Sequence, residues 1–315
     1  MAGNFVQLHN HTHYSLLDGA SKVPDLVKRV KELGMPAVGI TDHGNMHGAY
    51  ELWRAAVDSG VKPIIGIEAY VTPETARQDK TRVSWDTNWT PVPGHARNPD
   101  DVSGGGLITH LTMWAENDEG LVNLIKASSV ANLEGRVMRY PRMDKEVLST
   151  YSKGVIASSG CPSGIIQTRL RLGQFDEALR AAGEFQDIFG KDNFYIELMD
   201  HGLSIESKVT GDLLTIAKKL GAPLLATNDS HYVMEADKDA QDAMLCINSG
   251  ATLDDPNRFK FEGSGYYIKS AEEMRELFKD HPDACDNTLE IAERCNVIFD
   301  DHEDGAFMPQ FDCPE

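Results

Sequence analysis

Short apolar runs alternate with longer amphipathic stretches along most of this chain. Seven runs are almost continuously apolar, as in strands that are buried on both faces of a sheet: 5–9, 37–41, 63–70, 107–115, 154–159, 194–199 and 223–227. Between them, apolar residues recur at helical spacing and predict helices at 23–33, 48–59, 119–132, 175–189 and 206–220. Strands that alternate with helices predict an α/β fold with a parallel sheet covered by helices. Seven strands are too few for the usual eight-fold barrel and favour a related, irregular one.

The alternation is interrupted at residues 71–106, a long polar insertion rich in proline and glycine. A loop of this length within a compact domain is usually functional or disordered. Trp85 and Trp89 lie in it and are suited either to stacking on a base or to packing, and we favour packing. After residue 250 the alternation fades, with further helices predicted near 272–278 and 284–295. We therefore expect a barrel over 1–250 and a C-terminal extension over 251–315.

Composition places the chain among globular proteins. Of its 315 residues, 41% are hydrophobic and 25% are charged. No apolar stretch is long enough to cross a membrane and no secretory signal opens the chain, so we expect a cytoplasmic protein. The cysteines are odd in number and scattered without a CxxC pair, which favours reduced thiols: Cys161, Cys246, Cys285, Cys295 and Cys313.

The net charge of −19 argues against nucleic-acid binding through broad electrostatic attraction. Divalent ions held by Asp18, Glu68 and Asp229 would neutralise part of it. A chain this acidic is expected to handle DNA only at a metal site or with help from a basic partner domain.

Candidate metal ligands gather at the ends of the predicted strands. His9 and His11 leave the first strand two residues apart, so both imidazoles point to the same face. Asp229 and His231 repeat the pattern after the last strand, and His110 lies within its strand. The carboxyl ends of parallel strands in a barrel converge on one face, where active sites form. Nine side chains are candidate ligands on this basis: His9, His11, Asp18, His43, Glu68, His110, Cys161, Asp229 and His231.

The remaining histidines call for plainer interpretations. His201 also follows a strand and stays ambiguous, while His13 and His47 are either supporting groups or mere neighbours of the cluster. Cys161, taken alone, would be a small buried apolar residue. Three isolated histidines are expected to be solvated at the surface: His95, His281 and His302.

The mixture of ligand types indicates which metals to expect. Imidazoles with carboxylates and one thiolate suit zinc, iron or manganese and disfavour calcium or a dedicated magnesium cage. Nine ligands exceed the needs of one tetrahedral ion and suffice for two or three. Clustered ions of this kind favour hydrolysis of a phosphate ester. The sequence has no GxSxG, GxxxxGK[ST] or GxGxxG pattern, so acyl-serine, nucleoside-triphosphate and dinucleotide chemistry lack support.

These segments resemble the motifs of the polymerase-and-histidinol-phosphatase (PHP) family. LHNHTHYSLLDG at 8–19 resembles its opening motif and ITDHGNM at 40–46 its second. The stretches around 67–69, 110–112, 159–161 and 227–231 complete the resemblance. The segments 252–256 and 267–274 further resemble the N-terminal part of bacterial DNA polymerase III alpha subunits.

The resemblance implies a distorted seven-stranded (β/α) barrel of PHP type, with a metal site at the C-terminal face of the strands. It implies up to three divalent ions, with zinc favoured over manganese or iron. One ion would be held by His9, His11, Glu68 and Asp229. A second would share Glu68 and take His110 and Cys161. The third would be held by Asp18, His43 and His231.

The resemblance also implies a function, the metal-dependent 3′→5′ exonuclease that proofreads a polymerase's product. A hydroxide bridging the ions would attack the terminal phosphodiester of a DNA primer 3′ end. The catalytic residues would be His9, His11, Glu68 and Asp229, with other polymerase domains and replisome subunits as partners. Because the chain stops at Glu315, ahead of the polymerase palm of that family, we expect it not to polymerise DNA.

Two other functions stay open. One is a structural and interaction module whose ions stabilise the polymerase without cutting DNA. Alternatively, the domain resembles small-molecule phosphatases of the same family. Cys161, the insertion at 71–106 and the polymerase-like segment 252–274 argue against the phosphatase.

Overall fold

The computed structural model of the chain describes residues 5–16, 18–86, 88–90, 98, 100–101 and 104–300. The predictions made for His95, His302 and Cys313 lie outside these residues. No helix within the described ranges combines the length and the apolar character needed to span a bilayer.

The strands form one curled sheet of seven, which confirms the predicted α/β class and the distorted barrel. Six strands lie in the order β1-β2-β3-β5-β6-β7, and the short β4 pairs with β2 at the side of this path. All six were predicted to within two residues at either end. The strands are β1 Ala37–Ile40, β2 Lys62–Val71, β3 Thr109–Ala115, β4 Arg142–Met143, β5 Val155–Ser158, β6 Phe194–Leu198 and β7 Leu224–Ala226.

The first predicted strand, 5–9, is extended but makes only isolated bridges, so the prediction of a regular strand there is wrong. Gln7 bridges to Val38 in β1, and Asn10 bridges to Ser230 beyond β7. The Asn10 side chain donates to the carbonyls of Gln7 and Gly39, which replaces part of a regular ladder with side-chain hydrogen bonds. The N-terminal segment thus connects the two outer ends of the curled sheet.

The sheet is mixed, whereas the strand–helix alternation predicted a parallel one. β3 runs antiparallel to both β2 and β5, with Tyr70 opposite His110 and Glu68 opposite Thr112. Parallel neighbours need a crossover, usually a helix, and no described residue between β2 and β3 is helical. The reversed strand therefore begins at the edge where its parallel neighbours end.

Ten α-helices occur in the described residues, and seven of them were predicted. The helices are α1 Val23–Glu32, α2 Ala49–Ser59, α3 Asp118–Glu134, α4 Lys145–Thr150, α5 Ile165–Arg171, α6 Phe175–Phe189, α7 Ser204–Leu220, α8 Lys238–Ser249, α9 Ala271–Leu277 and α10 Pro282–Arg294. α4, α5 and α8 were missed. Every residue of α5 is buried, including the polar Gln167, Thr168, Arg169 and Arg171, so its polar and apolar positions do not separate into a solvent face and a core face.

The inner face of the sheet is divided between an apolar end and a polar end. Ile64 of β2, Trp114 of β3 and Tyr195 of β6 are fully buried in one cluster, together with Ile291 of α10. Since side chains alternate along a strand, Glu68, Thr112 and Glu197 lie on the same face further along. α10 therefore helps to fill one end of the barrel, although it lies within the predicted extension. The domain boundary at residue 250 stays a prediction.

The described part of the insertion packs against the body of the protein. Trp85 is buried, and the guanidinium of Arg169 lies 4.2 Å from its ring centroid. Gln174 donates to the Trp85 carbonyl. The preference for packing is confirmed for Trp85. Trp89 is half-buried, and its role stays a prediction.

Candidate metal centre

The nine candidate ligands lie together at the polar end of the barrel. The C-terminal halves of the parallel strands and the start of β3 deliver them to one place, as strand-end placement predicted. The reversal of β3 brings His110 there from within its own strand. Each of the nine has a side-chain contact of 3.8 Å or less with another member of the set.

Glu68 lies at the centre of the cluster. Its two carboxylate oxygens approach His43 Nδ1 at 2.6 Å and His110 Nδ1 at 3.0 Å. His9 Nε2 and His11 Nε2 lie 3.4 and 3.6 Å away. The side chain is 1% exposed, so a carboxylate surrounded by four imidazoles is withdrawn from water. This central position is the one that a bridging ligand would occupy.

Asp229 closes the cluster on the side of the last strand. Its Oδ1 lies 3.1 Å from His11 Nε2, 3.4 Å from His9 Nε2 and 3.6 Å from His231 Nδ1. The backbone of Asp229 is left-handed, with φ +45°, which is uncommon for a residue other than glycine. Such strain is tolerated where the surrounding structure imposes it, and it is concentrated at functional sites.

Asp18, His43, His231 and Cys161 complete the arrangement. Asp18 Oδ2 is 2.7 Å from His43 Nε2 and 3.8 Å from His231 Nε2. Cys161 Sγ is 3.4 Å from His110 Nδ1. Three triads offer ligand atoms within 4.8 Å of one another: His9, His11 and Asp229; His43, Glu68 and His110; and His11, His43 and His231. His43 therefore lies between two of the groupings that the resemblance implies.

Three histidines are oriented by hydrogen bonds on the side facing away from the cluster. His9 Nδ1 is 2.7 Å from Glu197 Oε1, His11 Nδ1 is 2.9 Å from Ser15 Oγ, and His231 Nδ1 is 2.8 Å from the Asp229 carbonyl. A carboxylate or carbonyl accepts a proton from Nδ1, which places the lone pair on Nε2. Nε2 of each ring then faces the cluster, as in histidines that bind metals.

Glu197, which sequence reasoning missed, supports His9. It is 1% exposed and accepts hydrogen bonds from Ser158 Oγ and Thr227 Oγ1, each at 2.5 Å, in addition to that of His9. A buried carboxylate with three donors holds the His9 ring in place. The available signal was period-two spacing, since Glu197 follows the inward-facing Tyr195 by two residues in an otherwise apolar strand.

Asp42 has a similar role behind His11. Its carboxylate accepts hydrogen bonds from the Thr12 backbone and from the Thr12 and Ser15 hydroxyls. Ser15 therefore directs its proton to Asp42 and presents a lone pair to His11. Burial raises the pKa of Asp42, and these hydrogen bonds oppose that rise.

The ionisable side chains of the cluster strongly shift one another's pKa values. Burial opposes the ionised form of Glu68, but the neighbouring imidazoles of His110 and His43 hold its pKa well below the usual value. His9 and His231 likewise keep the pKa of Asp229 low against burial. Burial and the charges of His43 and His231 lower the pKa of His11 to about 3. Neutral His11 and ionised carboxylates are the forms that bind metal ions.

The donor set fits a divalent-ion site. Several buried nitrogen and oxygen atoms in the cluster form no hydrogen bond of good geometry within the described structure, although some lie within ion-pair distance of one another, as His43 Nδ1 and Glu68 Oε2 do at 2.6 Å. All of them except Asp18 Oδ1 lie within 3.8 Å of a side-chain nitrogen or oxygen of another cluster residue, as ligand atoms around ions would. These atoms are His9 Nε2, His11 Nε2, His43 Nδ1, His231 Nε2, both Glu68 oxygens, Asp18 Oδ1 and Asp229 Oδ1.

The other histidines lie outside this set. His201 bonds Glu206 through Nδ1 at 2.6 Å and the Asn228 carbonyl through Nε2 at 2.9 Å, so both ring nitrogens are occupied. This structural role resolves the ambiguity left by its position after a strand. His13 stacks on Tyr14 with its side chain 40% exposed. His47 is exposed and His281 is half-buried, and neither joins the three triads.

A buried lysine ties the Asp229 turn to the segment 265–269. Lys269 Nζ donates to Asn228 Oδ1 at 2.6 Å and to the Gly265 carbonyl. The Asn228 amide donates in turn to the carbonyls of Gly265 and Tyr267. Asn228 directly precedes Asp229, so this clamp holds the backbone on which the left-handed residue depends.

Solvent reaches only part of the cluster. The side chains of Asp18, His43 and His110 are 15–19% exposed, whereas those of His9 and His11 are fully buried. A substrate would therefore first contact Asp18, His43 and His110, whereas His9 and His11 would be shielded from bulk water.

Comparison with known proteins is consistent with this geometry. The profile of the PHP domain matches residues 7–201. The chain is 55% identical over 297 residues to the DNA polymerase III subunit alpha of Saccharopolyspora erythraea and 52% identical over 312 residues to that of Mycobacterium leprae. These alignments cover 94% and 99% of this chain but 25% and 26% of the relatives, so the chain spans about a quarter of their length.

Among solved structures, the chain is similar to a two-domain protein from Bacteroides vulgatus that contains a predicted PHP-like metal-dependent phosphoesterase. The match has a TM-score of 0.40 and 12% identity, and it covers 90% of this chain and 62% of the other.

Proposed function

The chain belongs to the PHP domain family, and from this we propose that it is the metal-dependent 3′→5′ exonuclease domain of a DNA polymerase III alpha subunit. Its substrate would be the 3′ end of a DNA primer, from which it removes terminal nucleotides. Identity of about one half to alpha subunits over nearly the whole chain supports the polymerase context.

One observation carries the proposal of a metal centre, which hydrolysis requires. Nine side chains able to bind metal meet at one end of the barrel, and many of the buried atoms there form no hydrogen bond of good geometry within the described structure. A module retained only for packing would have no need for so many desolvated ligand atoms, because each unpaired buried polar group costs stability.

The residues of the cluster would have two roles, binding the ions and orienting the imidazoles. His9, His11, Glu68 and Asp229 would hold one divalent ion, and His43, His110, Cys161, Asp18 and His231 would hold up to two more. Such ions supply Lewis acidity toward a phosphate ester and a water of lowered pKa. The buried carboxylates of Glu197 and Asp42 keep the imidazoles in position, so little reorganisation is needed when the phosphate arrives.

Zinc is the ion that we propose first, with manganese or iron as alternatives. Four or more imidazoles with carboxylates and a thiolate match the preferences of these ions better than those of calcium. Burial raises the pKa of the Cys161 thiol well above its usual value, and nearby Glu68 and Asp229 add to this effect. Cys161 would therefore ligate only if an ion displaced its proton.

The partners follow from the relatives. We propose that the remaining domains of an alpha subunit and other replisome subunits act with this domain in the cytoplasm. An acidic chain of net charge −19 gains from neighbours that supply positive charge for the DNA backbone.

A structural role for the ions is the second candidate. The wholly buried Glu68 and the ring of imidazoles around it would be costly without metal, so ions would stabilise the domain even if it did not cut DNA. Stability measurements alone cannot separate the two functions, since metal binding is coupled to folding in both.

The variant Asp229→Asn separates them. We expect it to abolish degradation of a labelled primer 3′ end by the metal-loaded chain, because the amide binds ions more weakly than the carboxylate. The melting temperature without metal should change by no more than about 2 °C. Release of nucleoside monophosphate is measured by denaturing electrophoresis.

Asp200→Asn is the matched control, because Asp200 is an exposed carboxylate just beyond β6 and outside the cluster. It should retain full activity. Metal-loaded wild-type protein that degrades no primer, alone or within the complete alpha subunit, would contradict the exonuclease. Release of inorganic phosphate from monoesters without cutting DNA would instead identify a small-molecule phosphatase.

A further inference from the structure

We infer that the pocket beside His231, walled by Phe261 and Tyr232, binds the unpaired 3′ end of single-stranded DNA, with Phe259 as a stacking platform for a terminal base. This inference rests on the proposed function and adds to it how the substrate strand is held. It concerns residues of the predicted extension, which sequence reasoning treated only as a resemblance.

The pocket adjoins the metal cluster through two contacts. The Phe261 ring packs edge to face on His231, with centroids 4.7 Å apart. Gln241, which also lines the pocket, donates to the Asp18 carbonyl at 3.2 Å. The cavity measures about 410 Å³, within the range of small-ligand sites. A group bound here would have its neighbouring phosphate close to the exposed side of the cluster.

Phe259 extends this aromatic wall into solvent. Its ring lies 5.9 Å from that of Phe261 at 82°, and the residue is 63% exposed. Phe261 is itself braced by Tyr266, with centroids 4.7 Å apart. An exposed ring held by a packed ring presents a flat face at little entropic cost. Bases of any sequence stack on such faces, which suits an exonuclease acting on all four nucleotides.

The polar groups of the pocket suit a nucleotide rather than an apolar partner. Tyr232 lines the pocket, and its hydroxyl is buried and has no hydrogen-bond partner within the described residues. Lys260 is exposed, and neither it nor Lys238 forms an ion pair with a carboxylate in the part of the chain that the structure describes. These ammonium groups are available to a phosphate.

The charges around the pocket balance. Arg258 and Asp242 neutralise each other through a two-pronged pair at 2.5 and 2.6 Å, which also anchors the segment before Phe259 to α8. Asp239 and Glu262 offset the two lysines. A neutral patch on a chain of net charge −19 is a favourable place for a strand to approach. We therefore expect stacking to contribute more than phosphate contacts.

The test measures how tightly the 315-residue chain binds a short fluorescein-labelled oligothymidylate at equilibrium. Fluorescence anisotropy detects the binding, and EDTA keeps the protein free of metal. Phe259→Ala should weaken binding roughly tenfold, the usual effect of losing one stacked base. Phe259→Tyr should bind as the wild type does, and Phe259→Leu should behave like Phe259→Ala. This pattern distinguishes an aromatic platform from a merely apolar contact.

The salt dependence of binding tests whether Lys260 contacts a phosphate of the strand. Lys260→Ala should reduce the slope of log affinity against log salt by about 0.7, as expected for one lost contact to a single strand. Lys219→Ala, an exposed lysine of α7 away from the pocket, should leave the slope unchanged. Phe259→Ala should lower affinity without changing the slope.

Equal affinity of Phe259→Ala and wild type would overturn the inference and would assign the exposed ring to a protein contact. Because binding is measured without metal, that result would leave the proposed hydrolysis standing. Conversely, an inactive metal-loaded protein that still binds the strand through Phe259 would contradict only the exonuclease.

Discussion

At the scale of single residues, the cluster depends on which nitrogen of each histidine faces inward. His9 and His11 use Nδ1 for hydrogen bonds to Glu197 and Ser15, which leaves Nε2 of both rings for ligands. His201 shows the contrast, because Glu206 and the Asn228 carbonyl occupy both of its nitrogens. Similar buried histidine–glutamate pairs thus serve two purposes in one molecule, and the free nitrogen decides between them.

Replacing Glu197 by glutamine tests this reasoning. The amide keeps the shape but loses the charge that favours a proton on His9 Nδ1. We expect affinity for zinc or manganese to fall about 10- to 100-fold, measured by competition with a chromogenic chelator. Glu206→Gln makes the same change in a pair that touches the cluster only through the Asn228 carbonyl, and it should change metal affinity much less. Unchanged affinity in Glu197→Gln would contradict the orienting role.

At the scale of elements, the segment 265–269 holds the turn that carries Asp229 and His231. The His231 backbone N–H donates to the Tyr266 carbonyl at 2.8 Å. Beside it, the Lys269 ammonium donates a hydrogen bond to Asn228 Oδ1. A strand end alone would leave this turn free to relax from its left-handed conformation. The extension therefore contributes to the site by fixing the backbone of a ligand-bearing loop.

Lys269→Met should destabilise the protein by about 1–3 kcal/mol at pH 7, because Asn228 Oδ1 and the Gly265 carbonyl lose a donor. Urea unfolding followed by circular dichroism measures the change. Lys219→Met, at an exposed position of α7, should have an effect within about 0.5 kcal/mol. Equal stability of Lys269→Met and wild type would show that the clamp is dispensable.

The same lysine predicts a pH dependence. Burial lowers the pKa of Lys269 from 10.5 to about 8, so above pH 8 the folded protein has released a proton that the unfolded chain still holds. Between these two pKa values the unfolded state binds more protons than the folded state. The free energy of unfolding therefore increases as the pH rises. We expect the stability difference between wild type and Lys269→Met to widen from pH 8 to about 10. A constant difference would contradict the shift.

At the scale of the whole molecule, the barrel separates an apolar end from a polar one. Trp114 and Tyr195 fill the first with the help of α10, while ligands in or just after five of the strands and from the N-terminal segment fill the second. Folding must bring several desolvated carboxylates and imidazoles together at one place. Bound ions would offset that electrostatic cost and part of the net charge of −19.

Removing metal should therefore lower stability. At a free ion concentration 100 times the dissociation constant, one bound ion contributes about 2.7 kcal/mol. We expect the melting temperature, measured by scanning calorimetry, to fall in EDTA and to recover with zinc or manganese, but much less with calcium. In Glu68→Gln the increment should shrink. A melting temperature that does not respond to chelation and reloading would contradict a metal centre.

Sequence reasoning succeeded where the signal is local. The apolar runs located six of the strands, and helical spacing located α1, α2 and α7 to within two residues. It failed where the signal is absent or non-local. α5 is buried on all sides, and the six-residue α4 is too short to show a period. Strand direction was also missed, because a long loop without a described helix allowed β3 to return antiparallel.

The candidate ligands could be named from sequence because metal-binding residue types after apolar runs are visible in the chain itself. The support behind them could not. Glu197 lies 188 residues from His9, and the Lys269–Asn228 clamp joins residues 41 positions apart. Phe261 carries no local sign that it packs against His231. Such pairings follow from the packing of distant segments.

The sequence by itself determined the kinds of elements and the residue types at their ends, because hydrophobic periodicity and ligand chemistry are properties of short stretches. The tertiary structure alone decided that β3 runs backward and so brings His110 to the cluster. It also decided which nitrogen of each imidazole faces inward and how the segment before His11 joins the two ends of the sheet. These features depend on which distant segments become neighbours. Packing and hydrogen bonding over the whole molecule decide that, and no short stretch of sequence does.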